Sequence, residues 1–121
     1  MLRPIPASML RHSATLHQCT GVDVWDFPTY KDTPLRRICI QSMHDTVMAK
    51  DNTEQGLTSV AFIDARLSTP IGFDFQQAQD ESEANGAPLE LIYKGRRYTV
   101  LTIDTLIDDA GEYHHTELGL K

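Results

Sequence analysis

Residues 89–103 read LELIYKGRRYTVLTI, two short apolar runs joined by Lys94-Gly95. The runs Leu89 to Tyr93 and Arg97 to Ile103 each have the length of a strand and contain several aromatic or β-branched residues. A two-residue connection that ends in glycine is typical of a tight hairpin, because glycine adopts the left-handed backbone conformation at little cost. The sequence therefore predicts an antiparallel β-hairpin over residues 89–103.

Further strands are predicted on both sides of this hairpin from apolar alternation between turn residues. Only residues 74–85 favour a helix, with Asp74 as N-cap, Gln77 completing a capping box, and Gly86 and Pro88 ending it. Five or six strands with one short helix predict a mainly β protein, a small antiparallel β-barrel or sandwich. The additional strands are predicted at 10–19, 35–43, 57–63 and 113–120.

Two segments between the strands are predicted to be loops. Residues 22–34 contain Pro28 and Pro34, which lack the N–H that a strand ladder needs. Residues 44–56 are polar and weakly patterned, and a loop of this length is usually functional or mobile. The core is predicted to contain apolar residues of the strands, namely Ile38, Ile40, Val60, Phe62, Leu91, Val100 and Leu101.

The composition fits one domain spanning residues 1–121. The chain is 40% hydrophobic and 23% charged, which excludes wholesale disorder, and it has no apolar run long enough for a membrane span. Pro4 and Pro6 interrupt the segment where a signal peptide has its apolar region, so we expect the chain to work in the cytoplasm in which it is made. Its two cysteines, Cys19 and Cys39, are too few for a disulfide framework.

The net charge of −6 arises entirely in the last part of the chain. Residues 1–73 balance seven basic against seven acidic residues, whereas residues 74–121 contain four basic and ten acidic residues. A protein that binds DNA through its phosphates needs a basic face, and the pairs Arg36-Arg37 and Arg96-Arg97 lie far apart in the sequence. The sequence therefore disfavours a conventional nucleic-acid-binding protein.

No residue pattern indicates catalysis, a cofactor or a metal site. His114, His115 and Glu117 are the strongest candidates for metal ligands, but in a strand His115 and Glu117 share one face and His114 points to the other. Two ligands are too few for a zinc site, and neither cysteine lies in a metal-binding or nucleophilic motif. We therefore expect no enzymatic activity, no cofactor and no metal.

The predicted loop at 22–34 contains a cluster of aromatic residues. Trp25, Phe27 and Tyr30 lie within six residues of one another, and Trp25 is the single tryptophan of the chain. Such rings either cover the end of a small β domain or act as anchors at a protein–protein interface. Trp25, Phe27 and Tyr30 are therefore the candidate interface residues.

Six blocks of sequence, spread over nearly the whole chain, occur in the same order as in one known family. They are Leu2-Arg3-Pro4-Ile5-Pro6, residues 10–16, Gly21 with Trp25 and Pro28-Thr29-Tyr30, residues 62–68, residues 95–100, and His114-His115-x-Glu117. Through these blocks the chain resembles the minor capsid proteins of tailed bacteriophages of Gram-positive hosts, which are taken to be head-completion or head-tail connector proteins similar to the stopper of long-tailed phages. One departure is Asp26, because that family carries glycine after the tryptophan.

The resemblance implies a structural protein of the virion. It implies a ring of six or twelve copies below the portal that retains packaged DNA and joins the head to the tail. Its partners are then further copies of the chain, the portal or adaptor protein and the tail-completion protein, and double-stranded DNA passes without specific binding. In the stopper a loop closes the channel, which makes 44–56 the candidate channel loop, with Asp45, Lys50, Asp51, Asn52 and Glu54 as its charged and polar residues.

Two other functions stay open at this stage. The chain is alternatively a tail-completion or adaptor protein of the same connector. It is alternatively a small ligand- or metal-binding β-barrel that uses the strand His114 to Glu117.

Overall fold

A computed structural model of the chain describes residues 5–48, 54–107 and 110–121. All paired strands are antiparallel, in the order β1-β2-β3-β6-β5-β4, and β4 pairs with β1, so that the sheet closes on itself in a ring. This confirms the predicted mainly β fold with one short helix. The elements are a 3₁₀ turn Ala7–Met9, β1 His12–Val22, β2 Pro28–Met48, β3 Glu54–Asp64, α1 Phe75–Ala84, β4 Glu90–Tyr93, β5 Arg96–Ile107 and β6 Tyr113–Leu120.

The hairpin predicted from residues 89–103 is confirmed as β4 and β5. Tyr93 pairs with Arg96 across the turn, and Lys94 and Gly95 both have positive φ angles, of 50° and 75°. Two successive left-handed residues match the right-handed twist of the flanking strands. The prediction of residues 113–120 as the last strand is also confirmed.

The long strand β2 pairs with two neighbours in succession. Its first part pairs with β1 from Pro28 to Ile38, and its second part pairs with β3 from Ile38 to Met48. The β1–β2 register shifts beside Arg37, which has a φ of 56°. This bulge adds one residue to the strand, so Leu35 and Ile38, three apart, are both buried.

The loop predicted at 22–34 is wrong, because residues 28–34 belong to β2 and pair with β1. Residues 28–34 pair with β1 on one side only, and β3 pairs with β2 from Ile38 onward. Proline is compatible with an edge of this kind, where alternate residues direct their N–H away from the partner strand. Pro28 and Pro34 therefore do not interrupt the hairpin.

The loop predicted at 44–56 is wrong at both ends. Residues 44–48 continue β2 and residues 54–56 begin β3, with Thr46 opposite Gly56 and Met48 opposite Glu54. The polar sequence lacks the apolar alternation that indicates a strand, because two strands that pair only with each other outside the closed sheet need no buried face. Residues 49–53, between the two strands, lie outside the described residues.

The core lies inside the closed sheet and is built mainly of leucine, isoleucine and alanine. Three of the predicted core residues, Ile38, Leu91 and Val100, are buried in it, and Ile40 packs against it. The other three predicted core residues, Val60, Phe62 and Leu101, are only partly buried. Successive side chains of a strand face opposite sides. Buried Ala61 and Ile63 of β3 and Val100 of β5 therefore turn these neighbours outward.

The helix α1 confirms the helix predicted at 74–85, with the Asp74 side chain accepting a hydrogen bond from Gln77 N at 3.0 Å. The helix packs against the edge of β1 that faces away from β2, where β4 pairs with β1 only at residues 15–17. Ser82 Oγ accepts from Cys19 N at 3.0 Å, and Asn85 Nδ2 donates to Cys19 O at 3.3 Å. Polar helix side chains thus replace the missing strand partner of β1. Within the described ranges, no helix combines the length and apolarity that crossing a membrane requires.

Candidate functional site

The tip of the β1–β2 hairpin, which we define as residues 22–27, is held by one carboxylate. Asp23 Oδ1 accepts hydrogen bonds from Trp25 N at 2.8 Å and from Phe27 N at 3.1 Å. The backbone adds Asp23 N to Phe27 O at 2.9 Å and Asp26 N to Asp23 O at 3.1 Å. These four hydrogen bonds fix the backbone of a short turn whose residues 22–27 are all exposed.

The backbone of the tip passes through the left-handed region at Asp26, whose φ is 64°. Aspartate is one of the few residues other than glycine that tolerates this conformation. The position after Trp25 is therefore one that glycine also fits.

Large apolar side chains of the tip are exposed. Val24 is 90% exposed, Trp25 77%, Phe27 67% and Val22 61%. The aromatic rings therefore do not cover the end of the sheet, which was one of the two interpretations of this cluster. A group of exposed apolar side chains on an ordered turn is typical of a protein–protein interaction site.

Tyr30 lies on β2 beyond the tip and has a partner of its own. Its ring stacks on His17 with 4.1 Å between ring centroids and 17° between planes, and His17 Nδ1 lies 2.6 Å from Asp32 Oδ1. Tyr30 is still 44% exposed. Trp25 and Phe27 thus lie together on the tip, and Tyr30 continues the exposed surface along the strand.

The candidate channel loop is only partly described. Asp45 lies in β2 and Glu54 in β3, whereas Lys50, Asp51 and Asn52 lie outside the described residues. Residues 54–58 of β3 pair only with β2, because β6 joins β3 from Ser59 onward. The segment therefore begins and ends as a two-stranded ribbon that leaves the closed sheet.

The histidines of β6 do not separate as the sequence predicted. His114 Nδ1 lies 2.6 Å from His115 Nδ1, because the β5–β6 register shifts next to these residues and breaks the alternation of side chains. His115 Nε2 is 4.0 Å from Glu117 Oε1. Burial lowers the pKa of His115 below 6.5, against the opposing effect of Glu117. The neutral ring is a possible metal ligand.

Too few donors surround this pair for a metal site. Among the described residues, no three histidine, cysteine, aspartate or glutamate side chains are grouped so as to hold a metal ion. The nearby Asp64 is 2% exposed and uses Oδ2 to accept from Arg66 N and Leu67 N, both at 2.9 Å. Its Oδ1 is buried without a hydrogen bond. Asp64 therefore holds the turn after β3, and the expectation of no metal remains a prediction.

The structure also brings together basic residues that the sequence keeps apart. Ser13 of β1 pairs with Arg36, and Ser13, Arg36 and Lys94 line one open groove between β2 and the β4–β5 turn. Pro34 and Ile92 line it as well. We call this depression the basic groove. The sequence contained no signal for it, because Arg36 and Lys94 come together on either side of β1, whose neighbours are set by the closure of the sheet.

Two basic side chains near this groove lie against aromatic rings. Lys94 Nζ lies 5.4 Å from the Tyr93 ring centroid and Arg96 Cζ lies 5.3 Å from that of Tyr98. Arg97 is paired with Glu90, at 3.6 Å. Among the described residues that line the groove, Arg36 and Lys94 are charged and none is acidic.

No protein-family model matches the chain, and no curated protein matches it.

Proposed function

We propose that the chain is a structural subunit of a phage head-tail connector. In this proposal, copies assemble as a ring below the portal, retain packaged DNA and join the head to the tail. The observation that carries the proposal is the hairpin tip, where Val24, Trp25 and Phe27 are exposed on a turn held by Asp23. The resemblance of the sequence to minor capsid proteins supplies the kind of assembly.

The energetics of the tip favour a role in assembly. Fully burying a large apolar side chain contributes roughly 1.5–3 kcal/mol relative to leaving it in water. A contact that buries Trp25 and Phe27 recovers this free energy. Because Asp23 already fixes the backbone, little conformational entropy is lost when a partner binds. The tip is therefore a preorganised anchor, and ring contacts repeat the anchor once per copy.

The ribbon formed by the ends of β2 and β3 supports the second part of the proposal. It leaves the closed sheet with strand pairing up to Met48 and Glu54. In the proposed ring, copies of this ribbon meet around one axis, and the candidate channel loop 44–56 closes the channel there.

The test replaces the chain in the phage that encodes it by the double variant Trp25→Ser and Phe27→Ser. The expected result is heads that package DNA and then lose it, with few tails attached, because the ring does not assemble. Ile107→Ser is the matched control, since Ile107 is 58% exposed and lies on β5, outside the β1–β2 hairpin. The control is expected to give particles like the wild type.

Two other results contradict the proposal. Full heads that keep their DNA but have no tails assign the chain to tail completion. Normal particles from the double variant, with the variant chain still present in them, show that the tip is not the assembly surface.

A further inference from the structure

We propose that the basic groove of one copy binds the acidic helix face of the next copy, so that the ring contact is head to tail. This inference rests on the proposed function, because it names the surfaces that meet in the ring. The acidic helix face is defined by Asp80 and Glu81, which are exposed on α1. The helix sequence contains no lysine or arginine.

The two surfaces lie at different levels of β1. The basic groove lies at Ser13, and α1 is attached at Cys19 through Ser82. Six residues of strand separate these points by about 20 Å. Screening in physiological salt reduces charge interactions beyond about 8 Å. The opposite charges therefore cannot neutralise each other within one chain.

Complementary surfaces at separate places on one chain produce a heterologous contact. In such a contact each copy uses its groove toward one neighbour and its helix face toward the other, which gives a ring if the rotation closes. The hairpin tip extends from the same end of β1 as the helix. A neighbour that docks on the helix face is therefore near the apolar tip as well.

The groove has apolar and basic residues that complement the apolar hairpin tip and the acidic helix face. Exposed Pro34 and partly buried Ile92 line the groove together with Arg36 and Lys94. Apolar contacts supply most of the affinity of an interface, whereas charges at its rim set orientation and association rate. The tip thus supplies the anchor, and the charge pairs determine which way round each copy binds.

A duplex nucleic acid is the other polyanion that a basic groove could bind. The observations favour a second copy, because the chain carries the complementary acidic face itself and its net charge of −6 repels a polyanion. Binding to duplex DNA is therefore an outcome of the test rather than part of the proposal.

The experiment measures self-association of the purified chain by sedimentation velocity, in low and physiological salt. Variant A is Arg36→Glu with Lys94→Glu, and variant B is Asp80→Lys with Glu81→Lys. Each variant alone sets like charges against each other, so we expect association at least about tenfold weaker than wild type. An equimolar mixture of A and B pairs opposite charges at both contacts. We expect association in the mixture to return to near the wild-type level.

A matched control separates local charge from net charge. Lys31 lines a depression together with Glu81, on the acidic side of the molecule. Lys31→Glu changes the net charge by as much as Arg36→Glu, yet it makes the acidic side more acidic. We expect Lys31→Glu to associate as well as wild type or better, and Arg36→Glu to associate less. Equal weakening by both variants overturns the proposal.

The remaining outcomes distinguish the two levels of proposal. If Trp25→Ser with Phe27→Ser abolishes association and variants A and B do not, the ring contact stands and the head-to-tail pairing is wrong. The pairing is also wrong if A and B both lose association and their mixture stays dissociated. A wild-type chain that stays monomeric in low salt at all concentrations overturns both proposals. Binding of a DNA duplex that variant A loses, with self-association unchanged, assigns the groove to nucleic acid.

Discussion

Replacing Asp23 by alanine removes the carboxylate that holds the hairpin tip. The variant loses the hydrogen bonds from Trp25 N, at 2.8 Å, and from Phe27 N, at 3.1 Å. The backbone hydrogen bonds from Asp23 N to Phe27 O and from Asp26 N to Asp23 O remain. The turn is therefore expected to persist but to open more often.

The magnitude follows from the exposure of these groups. A hydrogen bond contributes about 0.5–1.5 kcal/mol net, and exposed groups fall at the lower end because water replaces the lost partner. Two such bonds give a loss of about 1 kcal/mol. For a domain of this size that loss lowers the thermal midpoint by roughly 4 °C. Opening of the tip becomes about fivefold more frequent.

The measurement is amide hydrogen exchange at Trp25 and Phe27, together with thermal denaturation. We expect exchange at these two amides to be about fivefold faster in Asp23→Ala, and core amides that exchange through global unfolding to speed up by no more than the same factor. Because Trp25 is the single tryptophan, its fluorescence anisotropy reports the mobility of the tip directly.

The control Asp23→Asn retains a side-chain oxygen that accepts both hydrogen bonds and removes only the charge. We expect its exchange rates at the tip to be close to those of wild type. Unchanged exchange in Asp23→Ala refutes the role assigned to the carboxylate. If Asp23→Asn exchanges as fast as Asp23→Ala, charge rather than hydrogen bonding orders the tip.

Three further variants test the packing and the pH response of the domain. Gly119→Ala places a Cβ in steric overlap with Thr102 Oγ1, so we expect a loss of about 1–3 kcal/mol in urea denaturation and partial recovery on adding Thr102→Ala. Ser82→Ala leaves the buried Cys19 N–H without its partner, and we expect a loss of about 1–3 kcal/mol; a change below the error of the urea midpoint contradicts this. Burial lowers the pKa of His115 in the folded chain below 6.5. As the pH falls below 6.5, the unfolded chain is protonated before the folded chain. The free energy of unfolding therefore decreases until the pH has passed the folded-state pKa. His115→Gln is therefore expected to give a flatter decline in the urea midpoint below pH 6.5, and identical slopes show that this ring does not contribute.

The elements with a local signal were predicted correctly. Lys94-Gly95 specifies a turn through its backbone preference alone, and Asp74 with Gln77 specifies the start of a helix through a contact three residues long. Both signals lie within the element that they determine. The β4–β5 hairpin and α1 therefore follow from the sequence without knowledge of the rest of the chain.

Errors occurred where a residue's environment depends on a distant strand. Pro28 and Pro34 indicated a loop, but in the closed sheet they lie where β2 has β1 as its one strand neighbour, and there proline fits. Phe62 indicated the core, but the pairing of β3 turns it outward. Alternation along a strand shows that two faces exist, and only the pairing decides which of them is inside.

One part of the candidate site could likewise be predicted from the sequence, and the other part depends on the tertiary structure. The aromatic cluster of Trp25, Phe27 and Tyr30 was visible in the sequence because the residues are close along the chain. That the tip exposes its rings, and that Arg36 and Lys94 flank Ser13, was decided only by the tertiary structure. Local propensity and turn chemistry act over a few residues and can be found in the sequence. The neighbours of β1 are set by the closure of six strands around one core, and no short segment contains that information.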